Sequence, residues 1–219
     1  MIKRAKRTCD KTVVVLMALL LIMGLITLFS ATYYQKSATG DALAAVKKQL
    51  IGVALGAAAC VVLSRVPYRF FRRPKVTLLL LAISALLLIL VIIPGIGVSI
   101  NGSRRWLNIG GLSMQPSEFA KYAMVIFMAG ALDRRSEALG SLFAGVAPLL
   151  LIPGVMFLLI LEQPNLSTGG SILICALVML FAAGLKKRHM ALLGVSGFCL
   201  GAFYAWSAPY RRERLLSFR

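Results

Sequence analysis

The chain has 219 residues, of which 59% are hydrophobic and only 15% charged, and its mean hydropathy is +0.86, which excludes an ordinary soluble domain. Lysine and arginine number 25 against 7 acidic residues, a formal +18. In a soluble protein that excess would point to nucleic acid, but here the charges fall between apolar runs, so they read as membrane topology and contact with anionic headgroups.

The basic start MIKRAKRTCDK, residues 1–11, precedes an apolar run from Thr12 to Tyr34. That run matches the ~20 residues a bilayer-crossing helix needs. It is long for a signal peptide, lacks a clear small-residue cleavage site and is followed by further spans, so it is read as the first transmembrane helix. A second span is expected near Gln49–Val66, where Gly52 and Gly56 form a GxxxG pattern that permits close helix contact without carrying function. The basic connection RVPYRFFRRPK leads to a third span, expected from about Val76 to Ile100 and disturbed near its end by Pro94, Gly95 and Gly97.

Next comes the most polar stretch between the spans, NGSRRWLNIGGLSMQPSEFAK, Asn101 to Lys121. A fourth span runs from about Pro116 to Leu132, a fifth from Leu142 to Leu161 with Pro148 and Pro153 inside it, a sixth from Gly170 to Leu185 and a seventh from Met190 to Trp206. The expected class is therefore all-α: a polytopic membrane protein with about seven transmembrane helices over residues 12–206, ending in a polar segment at 207–219.

Counting cations by loop sets the expected sidedness. With the N-terminus in the cytoplasm, inner segments hold 15 lysines and arginines and outer segments 9, with Lys121 left at the mouth of a span. That bias favours N-in, C-out. It places Asn101–Lys121, the loop EQPNLSTGG and the terminal arginines Arg211, Arg212 and Arg214 on one outer face. Nine outer cations are many for a rule that disfavours them there, so an anionic ligand becomes a reasonable expectation.

Arg104 and Arg105 offer planar forks of donors suited to phosphate or diphosphate, against the alternative of headgroup snorkelling. Trp106 suits an interfacial belt. Pro116 fits the first turn of a helix, and Glu118 follows in that turn, where a carboxylate complements the helix dipole. Glu118 and Lys121, three apart, share a face and can pair. Charges at a span's entrance are costly unless paired or facing a polar cavity, so a cavity-lining role competes with a structural ion pair. Cys9, Cys60, Cys175 and Cys199 are dispersed, and the lone His189 follows KKR, so neither a disulfide framework nor a metal site is expected. No Ser-His-Asp set, phosphate loop, HExxH or cofactor fingerprint occurs.

GSRRWLNIGGLSMQPSEFAK, LEQPNLSTGG and PYRRERLLSF, in that order, resemble the motifs of the SEDS family (shape, elongation, division and sporulation), the FtsW, RodA and SpoVE proteins. The paired arginines before Trp106 and the sequence YRRERLLSF are more similar to the FtsW and SpoVE branch. The resemblance implies a peptidoglycan glycosyltransferase of the bacterial cytoplasmic membrane that polymerises lipid II, releases undecaprenyl diphosphate and works with a class B penicillin-binding protein. It implies ten transmembrane helices and a large outer loop after the seventh, so this chain would supply helices one to seven. The family's catalytic aspartate is then expected beyond Arg219, and the chain alone is expected to be an incomplete, inactive form.

Carried over by position, Arg104 and Trp106 match the outer-loop motif, Glu118 and Lys121 the charged pair beside the central cavity, and Arg211, Arg212 and Arg214 the basic entry to the large loop; Arg105 joins Arg104, Trp106, Glu118, Lys121, Arg211 and Arg212 as a candidate for substrate binding. Asn165 departs from the pattern, where aspartate is common. No covalently bound cofactor is implied, although a divalent cation would suit a leaving diphosphate. The alternatives are a lipid II flippase and a membrane scaffold that recruits the penicillin-binding protein.

Overall fold

The computed structural model describes residues 10–36, 42–100, 103–110, 112–135 and 139–206. The chain forms two compact units, Met1–Val66 and Pro67–Arg219. In the first, α1 (Lys11–Lys36) packs on α2 (Ala42–Arg65). Neither helix has a buried residue among those described, and Leu20, Met23, Val62 and Leu63 stand exposed beside equally apolar neighbours. A helix that is apolar all round yet uncovered is built for hydrocarbon.

The second unit starts with a single turn, α3 (Tyr68–Phe71), followed by α4 (Pro74–Ile92). A three-stranded antiparallel sheet comes next: β1 (Gly97–Ile100), β2 (Ser103–Ile109) and β3 (Leu112–Met114), in the order β1-β2-β3. Four longer elements complete it: α5 (Pro116–Arg135), α6 (Ala147–Leu161) entered through a π-helical turn at Leu142–Val146, α7 (Leu166–Ala182) and α8 (Lys187–Trp206).

Helix α5 is the centre of this unit, touching α4, α6, α7 and β2. Its buried residues Ala120, Met124, Met128 and Ala131 recur at three- and four-residue spacing, so one stripe faces inward. Leu81 and Leu88 of α4, Met156 and Ile160 of α6, and Ile172, Ala176 and Leu180 of α7 close over that stripe in one core. The small residues let helices approach. A Cβ on Gly169 of α7 would lie 2.9 Å from the ring of Phe157 in α6.

Seven helices of 15 residues or more occur among the described residues. Four of them (α1, α2, α4 and the π-turn with α6) are long and apolar enough to cross a membrane, and α7 is a shorter apolar helix. The chain is a multi-pass membrane protein. Several features depart from expectation, among them the start of α2 at Ala42 where Gln49 was expected. The third span ends at Ile92, not Ile100, because Gly95 (φ 92°) turns the backbone into β1. Helix α7 begins at Leu166, since the Asn165 side chain caps it by accepting from the Thr168 N–H at 3.4 Å. The stretch expected as a loop folds as a sheet, so 12–206 is not purely helical.

Candidate functional site

The sheet sits at the end of the second unit where α4 ends and α5 begins. β2 packs against both helices, and Leu107, 5% exposed, is its anchor in the core. The ladder pairs Val98 with Trp106 and Ser99 with Arg104, so the register shifts and Arg105 has no counterpart on β1. An extra residue of this kind bends a strand and re-aims its side chain. Arg105 is thereby separated in role from its neighbour.

The guanidinium of Arg105 reaches the α6–α7 loop. Its Nε–H donates to the Gln163 carbonyl at 3.1 Å, and its Nη2 donates to the Pro164 carbonyl. Gln163 is itself anchored, because its buried side chain donates from Nε2 to the Leu88 carbonyl of α4 at 3.2 Å. A chain of contacts therefore runs from β2 through the loop to α4. Arg104, one residue earlier, is exposed, and Trp106 is half-buried. The two arginines expected to act together on a ligand are thus placed differently: Arg105 gives two of its five donors to backbone, and Arg104 faces outward.

β3 passes into α5 through Gln115 alone. Gln115 donates to the Ser117 hydroxyl at 2.9 Å, and its carbonyl accepts from the Glu118 N–H at 3.1 Å, which fixes the first turn around buried Pro116. On that turn the Lys121 ammonium lies 2.8 Å from the Glu118 carboxylate, and Glu118 is half exposed. The pair expected from the three-residue spacing is present at the mouth of the helix. Glu162, at the end of α6, is exposed at the same end of the unit.

Gln163 was not singled out by sequence reasoning. A glutamine beside proline between two spans has an obvious loop reading, and its bond to Leu88 joins residues 75 positions apart. Its Oε1 and the Nδ2 of Asn165 are buried without a hydrogen-bonding partner among the described residues. Arg211 and Arg212 lie outside the described residues. Among those described, no three of His, Cys, Asp and Glu come together to hold a metal ion.

This polar end, with its two differently placed arginines and its ion pair, coincides with two of the three sequence motifs. A sequence profile of the FtsW/RodA/SpoVE family, described as cell cycle protein, matches residues 10–219. The chain belongs to this family. Stage V sporulation protein E of Bacillus subtilis is 36% identical over 214 residues, covering 97% of this chain and 58% of the relative. The probable peptidoglycan glycosyltransferase FtsW of Saccharophagus degradans is 35% identical over 97% of this chain and 54% of its own length.

Among solved structures, a chain of a peptidoglycan synthase complex described for its structural coordination of polymerization and crosslinking is similar at TM-score 0.62 and 27% identity. That match covers 90% of this chain and 57% of the other. Rod shape determining protein RodA of Thermus thermophilus is similar at TM-score 0.57 and 26% identity, over 83% of this chain and 57% of that one. The chain spans somewhat over half the length of the relatives it matches.

Proposed function

We propose that this family member serves peptidoglycan glycosyl transfer at the outer face of the bacterial cytoplasmic membrane, in division or sporulation. In this reading the sheet end of its second unit holds the diphosphate of a lipid-linked disaccharide. The observation that carries the reading is the placement of Arg104. It is exposed on a strand whose next residue, Arg105, is fixed to two loop carbonyls, so a guanidinium that nothing among the described residues ties down is presented from a stiff support. Positioning on a rigid element is what electrostatic stabilisation of a developing charge requires.

The cation count supports N-in topology, with the sheet end outward. The names of the two curated relatives support the reaction class and its place in division or sporulation, and the synthase complex supports a class B penicillin-binding protein as partner.

In the reaction the acceptor sugar hydroxyl attacks the anomeric carbon of a second lipid-linked disaccharide. A C–O bond forms, the bond to undecaprenyl diphosphate breaks, and the hydroxyl proton passes to a base. Arg104 would offset charge on the departing diphosphate, with Lys121 contributing from α5. Glu118 is committed to Lys121 at 2.8 Å, so it positions that ammonium and is a poor candidate for the base.

A photo-crosslinkable lipid II analogue in nanodiscs tests this. Label is expected on the peptides spanning 103–121 and 162–168, with Arg104→Ala reducing yield about tenfold, the loss of one charge-assisted contact worth roughly 1.4 kcal/mol. Label elsewhere, or an undiminished yield in Arg104→Ala, refutes the assignment. Transfer of labelled lipid II across liposomes with no glycan formed by the protein with its partner would favour a flippase.

A further inference from the structure

The opposite end of the second unit holds a feature that glycosyl transfer at the sheet does not use. A half-open cavity of about 400 Å³ lies between α3 and the last turns of α5, with Phe71, Ile126, Ala129 and Gly130 forming its apolar wall and Arg72 and Asp133 its rim. At roughly 30 Å³ for a water-sized group, that volume takes about a dozen such groups, the scale of an acyl chain and not of a solvated ion. The rim ion pair is close, with Arg72 Nη2 2.6 Å from the Asp133 carboxylate, and it ties the end of α3 to the end of α5.

The charge around the rim is unbalanced. Asp133 is the one carboxylate at this end among the described residues of the second unit, and Arg72 already answers it. Arg134 folds back along its own helix, and a Cβ added to Gly130 would lie 3.4 Å from its Nη1. The glycine therefore leaves room for a second guanidinium beside the cavity wall. Arg69, Arg73 and Lys75 follow on the same short segment, and the Arg73 guanidinium sits 5.8 Å from the Phe70 ring centre. An apolar slot with surplus cations at its mouth is complementary to one amphiphile: a chain of hydrocarbon carrying net negative charge at its head.

We propose that this cavity binds an anionic phospholipid of the leaflet that meets this end of the bundle. One acyl chain would lie along Ile126, Ala129 and Gly130, and its phosphodiester would lie between Arg72 and Arg134. A zwitterionic headgroup fits poorly, because its ammonium would enter a field of arginines in which Asp133, the one carboxylate at this end among the described residues, is already paired. The site is separate from the sheet end and does not depend on the function proposed above.

Native mass spectrometry of the purified, delipidated chain tests the site, with dioleoyl phosphatidylglycerol and dioleoyl phosphatidylcholine as probes. The glycerol lipid is expected to be retained about tenfold over the choline lipid. Ala129→Trp fills the slot from an exposed position, so it leaves the core intact and should bring retention down to the choline level. Arg134→Gln should do likewise while sparing the Arg72–Asp133 pair. Lys186→Gln with Lys187→Gln, which removes two cations at the same end but outside the cavity, should leave retention unchanged. Equal retention of both lipids, full retention in Ala129→Trp, or an equal loss in the lysine variant would overturn the proposal. Competition by free glycerol phosphate at the lipid's own concentration would also overturn it, since it would show a headgroup site without a chain slot.

Discussion

Replacing Arg105 with alanine removes both donors that fix the α6–α7 loop to the sheet. The bond to the Gln163 carbonyl is part-buried and the bond to the Pro164 carbonyl is exposed. A hydrogen bond to a charged group contributes about 1.5–3 kcal/mol when sheltered, and exposed ionic contacts contribute about 0–1 kcal/mol. The local loss is therefore about 1.5–4 kcal/mol, or roughly 10- to 700-fold in a local opening equilibrium at a factor of ten per 1.4 kcal/mol. Hydrogen exchange of the Thr168 and Gly169 amides in nanodiscs reads this directly, because both bond to Asn165 just past the clamp. Arg105→Lys should recover less than half the effect, since an ammonium is a point donor that does not span two successive carbonyls as a fork does. Unchanged exchange in Arg105→Ala, together with a large change in Arg104→Ala, would refute the division of roles between the two arginines.

Glu118→Ala should shift stability by less than ~1 kcal/mol, because a half-exposed ion pair at three-residue spacing is worth only tenths of a kcal/mol to about one. Lipid II crosslinking should nevertheless fall severalfold as Lys121 loses its support, and cell-wall complementation by Glu118→Ala and Arg104→Ala at full strength would favour a scaffold. Two glycines make a contrasting pair in a thermal-unfolding assay. Gly97→Ala should abolish folded protein, since its Cβ would lie 2.0 Å from the Val91 carbonyl oxygen, whereas Gly24→Ala meets nothing within 4 Å. In the latter, the helix propensity of alanine should leave stability equal or higher by up to ~1 kcal/mol.

The helices were legible because the bilayer writes long apolar runs, and the ends of α1, α5 and α6 follow those runs within a few residues. The sheet was not. β1 is GVSI and β3 is LSM, pieces too short to show a two-residue alternation, and β2 carries a bulge that breaks it. Glu118 and Lys121 were readable because their contact is local, three residues along one helix. Gln163 was not, because its bond to Leu88 depends on how α4 and α6 pack. Spacing along a chain carries the first kind of information and none of the second.

The placement of Arg105 also changes what the cation count means. Membrane insertion disfavours lysine and arginine on the outer side, so on the topology proposed above each one at the sheet end asks for a reason. For Arg105 a reason is found within the fold, where two carbonyls at the end of α6 take its donors and leave the loop and strand fixed together. Its persistence therefore says nothing about a ligand. Arg104 has no such explanation: it is exposed, it lies in register with Ser99, and the bulge beside it points its neighbour elsewhere. The inference to an anionic ligand, spread at first over two adjacent arginines, comes to rest on one. Arg104→Ala is consequently the sharper test of function, and Arg105→Ala a test of the scaffold that holds it.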